Sequence, residues 1–339
     1  MEWQINTPAK INLFFEVERR REDGFHEISS LISPVSLYDT LTFRLREEDG
    51  DVHLEIENPI PPECPCAGFP PAAEMNHEVQ TGSRETQTSP QFPAQIPTDE
   101  RNLIVRAARL LQSVESAKSK KLPGVSIITQ KRIPSEAGLG GGSSDAAATL
   151  LVLNRLWELG LSRTELQGLG VQLGCDVPLF LSRFPVIAQG RGELLAEVPS
   201  GETLPELHFV LVKPAQGLST PAVYRSCTPR NAAPESACTD VSTEALLHAW
   251  RGGDLEAIAA NLFNRLEMPA FRLLPELQDL RQAVARMEDP CVGFAMTGSG
   301  SACFGLCRDR EHALHAADEL RSWGTTFAVT SVLRSLQMS

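Results

Sequence analysis

Basic side chains are in deficit: 31 lysines and arginines stand against 43 aspartates and glutamates, a formal net charge of −12 at pH 7. A nucleic-acid-binding surface needs basic stripes, so that class is set aside. An anionic small molecule is not, because a few local cations and helix N-termini can bind one. Long apolar runs are missing too; none approaches the roughly 18 residues of a membrane span. The opening MEWQINTPAKINLFFEVE has no basic region followed by an apolar one and a small-residue cleavage site, so it reads as neither signal nor transit peptide. Eight cysteines (64, 66, 175, 227, 238, 291, 303 and 307) form no C-x-x-C pair, and no paired histidines complete a zinc site. The Cys64-Pro65-Cys66 run and the Cys303/Cys307 spacing are weak signals. The expectation is a cytoplasmic protein with reduced, mostly buried thiols and no metal of its own.

What is present is globular. Hydrophobic residues make up 42% and charged residues 22% of 339 positions, enough for two domains with real cores. In KINLFFEVERR, Ile11, Leu13, Phe15 and Val17 alternate with Lys10, Asn12, Phe14 and Glu16, a strand pattern that puts Lys10 and Asn12 on one face. Asp23-Gly24 marks a turn, and DTLTFRL and DVHLEIE read as short strands. Residues 59–97 hold nine prolines and little periodicity, the composition of a mobile insertion. A helix follows, with Leu103, Ala107, Leu110 and Leu111 near one face and Asp99 or Asn102 as its cap. GVSIITQKRIP is a strand. Ala146, Leu150, Leu153 and Trp157 then mark a helix closed by Gly160, and Ser162 with Glu165 form a capping box for the next, which ends at Gly174. The second half begins near residue 200. It reads as a strand (LHFVLVKP), helices around 242–261 and 275–288, a strand–turn–strand in VGFAMTGSGSACFGLC, a helix at 310–322 and a last strand, FAVTSVL. Interleaved strands and helices make the class α/β or α+β.

The densest motif is IPSEAGLGGGSSDAAATL, residues 133–150, with four glycines within five positions. A linker does not sit between a strand and a strong helix. A dinucleotide fingerprint needs G-x-G-x-x-G and an acid after a second strand; here Ser143 takes the last glycine's place, and the next acid beyond the helix start, Glu158, lies within helix. A Walker A loop ends in G-K-[ST], and this one has no lysine. Two readings remain: a phosphate cradle at a helix N-terminus, or a tight glycine turn capped by Ser143 or Ser144.

Three separated blocks then resemble the GHMP kinases: PAKINLFFEVERRREDGFHEISSL (8–31), PSEAGLGGGSSDAAATLLVLNRLW (134–157) running on to LGCDVPLFL, and TGSGSACFGL (297–306). Their order and spacing match across nearly the whole chain. The pairing of PAKINL with DGFH points to the branch that phosphorylates a cytidine-diphosphate-linked methylerythritol. The resemblance implies an α+β fold of two domains, a ribosomal protein S5 domain 2-like unit over 1–198 and a ferredoxin-like unit over 199–339, with the active site in the cleft between them. It implies ATP with Mg²⁺ on Pro134, Ser135, Glu136, Ala137, Gly138, Leu139, Gly140, Gly141, Gly142, Ser143 and Ser144, with Asn102 near the adenine. Lys10 and Asp176 are its catalytic pair. The resemblance further implies that Asn12, Phe25, His26, Thr220 and Tyr224 hold the acceptor, with Phe25 and Tyr224 sandwiching the cytosine, and that Thr297, Gly298, Ser299, Gly300 and Ser301 close over the phosphates. Its partners are these two small molecules, with no nucleic acid or membrane, as either monomer or homodimer.

The chemistry fits those roles. Phosphoryl transfer is mostly positioning and charge stabilisation. An alcohol nucleophile gains from a carboxylate that takes its proton, and a lysine beside that carboxylate keeps it ionised. Each residue taken alone has a plainer reading. Asp176 ahead of Val177-Pro178 is also a helix N-cap, Lys10 a solvated strand lysine, Phe25 a turn residue, and TGSGSA a tight hairpin. Other readings of the whole are a kinase for mevalonate, homoserine or galactose, and a non-catalytic ligand sensor on the same fold. The chain departs from the family at position 25, where phenylalanine replaces a frequent tyrosine, and at 59–97, which looks long.

Overall fold

The computed structural model describes residues 2–47, 50–57, 96–114, 121–182, 185–198, 204–233, 241–333 and 336. The proline-rich insertion expected at 59–97 lies outside the described residues except for its last two positions, as do Cys64, Cys66 and Cys238.

A long antiparallel hairpin, β1 (Glu2–Arg20) and β2 (His26–Arg46), organises the first half, with Gly24 at φ 85° in the turn between the strands. β3 (Val52–Glu57), α1 (Leu103–Gln112), β4 (Gly124–Gln130), α2 (Gly141–Leu156), α3 (Arg163–Leu173), α4 (Val177–Phe180), β5 (Val186–Gly190) and β6 (Leu194–Glu197) follow. The second half runs β7 (His208–Lys213), α5 (Thr220–Arg225), α6 (Thr243–Gly252), α7 (Leu255–Asn261), β8 (Phe263–Asn264), α8 (Glu267–Leu273), α9 (Glu276–Ala285), β9 (Gly293–Met296), β10 (Cys303–Cys307), α10 (Arg310–Glu319) and β11 (Thr325–Thr330).

These strands build two sheets. The larger has the order β3-β4-β2-β1-β8, with β5 also on β2 and β6 on β5. The smaller, β11-β7-β10-β9, is antiparallel throughout. Its β7–helices–β9–β10–α10–β11 connection is the ferredoxin-like arrangement, strands interleaved 4-1-3-2 in chain order. The whole is α+β. Among the described residues no helix is long and apolar enough to cross a membrane.

Three apolar layers hold the sheets and helices together. Leu41, Phe43 and Ile127 meet Ile104, Leu111, Leu150 and Leu153 under the first-half helices. Ile11, Leu13, Leu31 and Leu37 pack against Phe209, Leu211, Phe304 and Trp250, joining the two sheets. Val210, Val212 and Cys303 cover Leu277, Leu280, Ala313 and Ala316 on the outer face of the small sheet. The indole N–H groups of Trp157 and Trp250 donate to the carbonyls of Pro123 and Pro205 at 3.0 and 2.8 Å, so neither ring buries an unpaired donor.

Several expectations shift. The alternation read in β1 gives way to near-continuous burial, with Phe14 and Phe15 both inside, because layers cover both faces of the strand and a register shift falls between Asn12 and Phe14. DTLTFRL is not a separate strand but the end of β2. On α1 the buried face centres on Ile104, Ala107, Ala108 and Leu111, while Leu103 and Leu110 stand at its margin. α2 is not closed by Gly160: its C-cap is Trp157, and Glu158 takes the left-handed position at φ 53°, with Gly160 at φ 71° two residues on. Neither Ser143 nor Ser144 caps α2; Gly140, at φ 72°, does so without any side-chain bond. α5 and α8 lie outside the expected helices. The Asn102 cap, the Ser162/Glu165 capping box and the end at Gly174 stand as read.

Candidate active site

β1 presents Lys10 and Asn12 to a single pocket. Lys10 Nζ donates to Asn12 Oδ1 at 2.6 Å. The Asn12 amide is pinned on three sides: its Nδ2 donates to Ser30 Oγ at 2.9 Å, its Oδ1 accepts from Thr297 Oγ1 at 3.2 Å, and its backbone N–H donates to Thr297 Oγ1 at 3.0 Å. Lys10 is buried, and that burial pushes its pKa below the ordinary lysine value; the charge of Asp176 pulls the other way. In so poorly solvated a place, a charge on Lys10 interacts strongly with any anion brought to it.

Asp176 is the residue before α4, and Pro178 stands in the first turn of that helix. Its side chain makes no capping bond, which removes the plainer reading of the residue. The carboxylate lines the same cavity as Lys10.

The two glycine-containing loops meet over Lys10. Lys10 N–H donates to the Leu139 carbonyl at 2.9 Å, and Ala302 N–H to the Ala137 carbonyl at 3.2 Å. Gly138 sits at φ 74°, and a Cβ there would lie 2.4 Å from the Thr297 carbonyl oxygen. A Cβ on Gly298 would lie 3.2 Å from Lys10 Nζ. Glycine is therefore required where the two backbones close on each other. Asn264 braces the second loop from below, its Nδ2 donating to the carbonyls of Met296 and Gly298 at 2.7 and 2.8 Å. Ser299 Oγ lies 2.7 Å from Thr220 Oγ1, which ties that loop to α5.

Without a side-chain cap, the first-turn N–H groups of α2 have no partner from its own cap residue, the arrangement that binds anions at helix N-termini. Ser144 Oγ in that turn is buried and has no hydrogen-bond partner. A buried hydroxyl without a partner is costly unless something else supplies one. This orphaned hydroxyl and the glycine cradle fit a phosphate and its Mg²⁺. The same turn is anchored from behind. Lys131 bonds both Asp39 and Asp145, the latter at 2.7 Å, while Thr7 Oγ1 donates to Asp145 at 2.7 Å. Asp39 also accepts the backbone N–H groups of Arg132 and Ile133 at 2.5 and 2.9 Å. Burial pushes Asp39 up to about 6, with Asp145 adding to the shift and Lys131 opposing it. Lys131 loses solvation by burial, but Asp145 and Asp39 outweigh that and hold it above the ordinary lysine value.

The opposite wall is aromatic. The Arg191 guanidinium stands 4.8 Å above the Phe25 ring, which is half exposed. His26 and Tyr224 pack with ring centroids 5.2 Å apart and planes at 38°. Burial, helped by Arg20, lowers the pKa of His26 and favours the neutral ring. Burial first and Asp176 second hold the Tyr224 phenol above its ordinary value, so it stays protonated.

A cavity of about 1480 Å³ joins these features; Lys10, Asn12, Asp176, Phe25, His26, Thr220, Tyr224 and Arg191 line it, with Glu136, Gly138 and Gly140 from the first loop and Gly298, Ser299 and Gly300 from the second. That exceeds the roughly 300–1,000 Å³ of a site for one drug-sized ligand and leaves room for two. Ala137 and Leu139 of the first loop turn into the core instead. Asn102 is not part of the cavity lining; it caps α1, accepting from Ile104 N–H at 2.9 Å and donating to the Pro97 carbonyl at 2.7 Å. Sequence reasoning missed Arg191, Asn264 and the Asp39/Lys131/Asp145 cluster. Only Arg191 left a local signal, the Gly190-Arg191-Gly192 turn, with its glycines at φ 68° and 111°.

Comparison with known proteins agrees with this geometry. Residues 102–183 match the model of the GHMP kinases N-terminal domain, and residues 243–326 that of the GHMP kinases C-terminal domain. A 4-diphosphocytidyl-2-C-methyl-D-erythritol kinase of Shouchella clausii is 35% identical over 95% of this chain and 92% of its own length. One from Thermus thermophilus is 36% identical over 95% and 94%. A crystal structure of a 4-(cytidine 5'-diphospho)-2C-methyl-D-erythritol kinase superposes with a TM-score of 0.70 at 35% identity, covering 97% of this chain and 98% of that one. A homoserine kinase from Cytophaga hutchinsonii, 15% identical with a TM-score of 0.66 over 100% and 97% of the two chains, shares the fold. With both family models matched and relatives above one-third identity along nearly its full length, the chain belongs to the GHMP kinase family, among the 4-diphosphocytidyl-2-C-methyl-D-erythritol kinases.

Proposed function

We propose that this protein transfers the γ-phosphoryl group of ATP to the 2-hydroxyl of 4-(cytidine 5'-diphospho)-2-C-methyl-D-erythritol, giving the 2-phosphate and ADP, as a cytoplasmic enzyme of non-mevalonate isoprenoid synthesis. The observation that carries the reading is one cavity holding a buried lysine, an uncapped aspartate, two interlocked glycine-containing loops and an aromatic wall. Residues 1–198 supply the first loop and the catalytic pair; residues 199–339 supply the second loop and Tyr224.

Asp176 accepts the proton of the 2-hydroxyl as its oxygen forms a bond to the γ-phosphorus and the bond to the β-phosphate oxygen breaks. Lys10 offsets charge on the transferring group. Asn12 holds the Lys10 ammonium in place. The Gly138–Gly142 backbone and the first turn of α2 hold the phosphates, with the Gly298–Gly300 segment closing from the other side. Ser144 Oγ, buried without a partner at the start of α2, would hold Mg²⁺ carried by the nucleotide, which would supply neutralisation of phosphate charge. Phe25 and Tyr224 stack on the cytosine, and neutral His26 hydrogen-bonds its edge. Phenylalanine at position 25 keeps the stacking face and gives up a phenolic hydrogen bond.

The test is ATP consumption by the purified protein with the cytidylyl alcohol, mevalonate, homoserine and galactose in parallel. Turnover with the first alone supports the reading. Turnover with homoserine and none with the cytidylyl alcohol overturns it. Binding without turnover for every acceptor would make the chain a sensor rather than a kinase.

A further inference from the structure

Away from the cavity, the small sheet brings together three side chains far apart in sequence. Cys291 lies just before β9, Cys307 ends β10, and His312 lies in the first turn of α10. Their ligand atoms all lie within 4.8 Å of one another. Fifteen residues separate the cysteines and four separate Cys307 from His312, so no compact motif announces the cluster. Among the described residues it is the one group of three such side chains close enough to share a metal ion.

The surroundings are those of a ligand set rather than of three unrelated core residues. Cys307 and His312 are buried and Cys291 is half-buried. A Cβ on Gly305 would lie 2.4 Å from Cys291 Sγ, so the glycine at that strand position makes room for the sulfur. His312 Nε2 is 3.2 Å from the Asp289 carbonyl and as N–H donates to it, leaving the lone pair on Nδ1. A histidine whose second ring nitrogen donates to a backbone carbonyl is oriented as metal-bound histidines are. Nδ1 accepts only one long bond, from Arg308 N–H at 3.2 Å, which a metal would replace. The Asp289 carboxylate is 4.0 Å from His312 Nε2 and paired with Arg308, so it adds no uncompensated charge.

We propose that Cys291, Cys307 and His312 form a binding site for a thiolate-preferring divalent cation of the zinc class, with water in the fourth position. Two sulfurs and one imidazole suit a tetrahedral ion with metal–sulfur and metal–nitrogen distances of about 2.3 and 2.0–2.1 Å, and the three ligand atoms already lie within 4.8 Å of one another. Binding replaces both S–H bonds by S–metal bonds and releases two protons per ion; nothing is oxidised or reduced, and the thiolates neutralise the cation. The ion clamps the start of β9, the end of β10 and the first turn of α10. It lies at the far end of the β9–β10 hairpin from the phosphate-closing loop, so it stiffens that loop's support without touching substrate.

The test uses the full chain, reduced, stripped with chelator and titrated with Co²⁺ and then Zn²⁺. The expected result is one equivalent of Co²⁺ with an intense thiolate charge-transfer band and tetrahedral d–d absorption, displaced by Zn²⁺, with two protons released per ion into weakly buffered solution. Cys291→Ala, at the half-buried position, keeps the fold by circular dichroism. It weakens Co²⁺ binding by more than the roughly 100-fold carried by outer partners of a metal site. No charge-transfer band in the wild-type chain, or an equal band in Cys291→Ala, overturns the proposal. So does equally fast loss of the two thiols to a mild oxidant with and without Zn²⁺, because bound thiolates would be protected.

Discussion

Gly138→Ala is the perturbation whose cost can be worked most directly from the coordinates. The residue sits at φ 74°, where a non-glycine residue loses about 1–2 kcal/mol. The added methyl would also lie 2.4 Å from the Thr297 carbonyl oxygen, a backbone atom that can yield only by parting the two loops. Strain alone, expressed in the closed arrangement, corresponds to a fall in kcat/KM of roughly 5–30-fold, and separation of the loops adds to it. Gly168→Ala, in α3 and away from the cavity, is the control. An added Cβ there would meet nothing within 4 Å, and its φ is not in the left-handed region. A helical glycine-to-alanine change stabilises by about 0.5–1 kcal/mol. Initial rates at varied ATP and urea unfolding of both variants separate loop geometry from global stability. The expected pattern is a large loss of kcat/KM in Gly138→Ala with most of its stability kept, and near-wild-type kinetics in Gly168→Ala with equal or higher stability. Wild-type kinetics in Gly138→Ala would refute the claim that the two loops must touch for turnover.

Three further outcomes follow from the site. Asp176→Asn should lower kcat by about 10²–10⁴ while equilibrium ATP binding stays close to wild type; unchanged turnover would remove Asp176 as proton acceptor. Arg191→Ala removes the guanidinium above Phe25 and should raise KM for the acceptor about 2–30-fold, the span of a cation–π contact of about 0.5–2 kcal/mol, with KM for ATP unmoved; a rise for ATP instead would place Arg191 on the nucleotide. Asp39 has a folded-state pKa of about 6 against 3.8 for the free group, so its protonated form contributes stability that is complete below pH about 4 and lost as pH rises through 6. Urea midpoints measured from pH 4 to 7 should therefore fall more steeply for wild type than for Asp39→Asn, and identical slopes would show that Asp39 is not the titrating group.

Much of this was legible in the sequence because local rules acted undisturbed. The Asn102 cap and the Ser162/Glu165 capping box satisfy the first N–H groups of their helices whatever packs around them. The glycine loop could be narrowed to a phosphate cradle or a capped turn, and the uncapped start of α2 favours the cradle. The failures share a cause, tertiary context. Continuous burial of β1 depends on a second sheet formed by residues nearly 200 positions later. The left-handed residue after α2 is Glu158, though a glycine stood two places on. Arg191 reaches Phe25, and Asp39 reaches Lys131, across separations that no window of sequence spans. Cys291 and Cys307 looked unrelated because the β9–β10 hairpin between them, not their spacing, brings them together.

The central claim is that a cytidine end and a phosphoryl end share one cavity with Lys10 and Asp176 between them. A crystal structure with a cytidine diphosphate alcohol and a non-hydrolysable ATP analogue tests it most directly. The account predicts the cytosine between Phe25 and Tyr224, the triphosphate along Gly138–Gly142 at the start of α2, and the acceptor hydroxyl within hydrogen-bond distance of Asp176 and facing the γ-phosphorus. Cytosine bound elsewhere, or a γ-phosphate remote from Lys10 and Asp176 with both ligands in place, would contradict it.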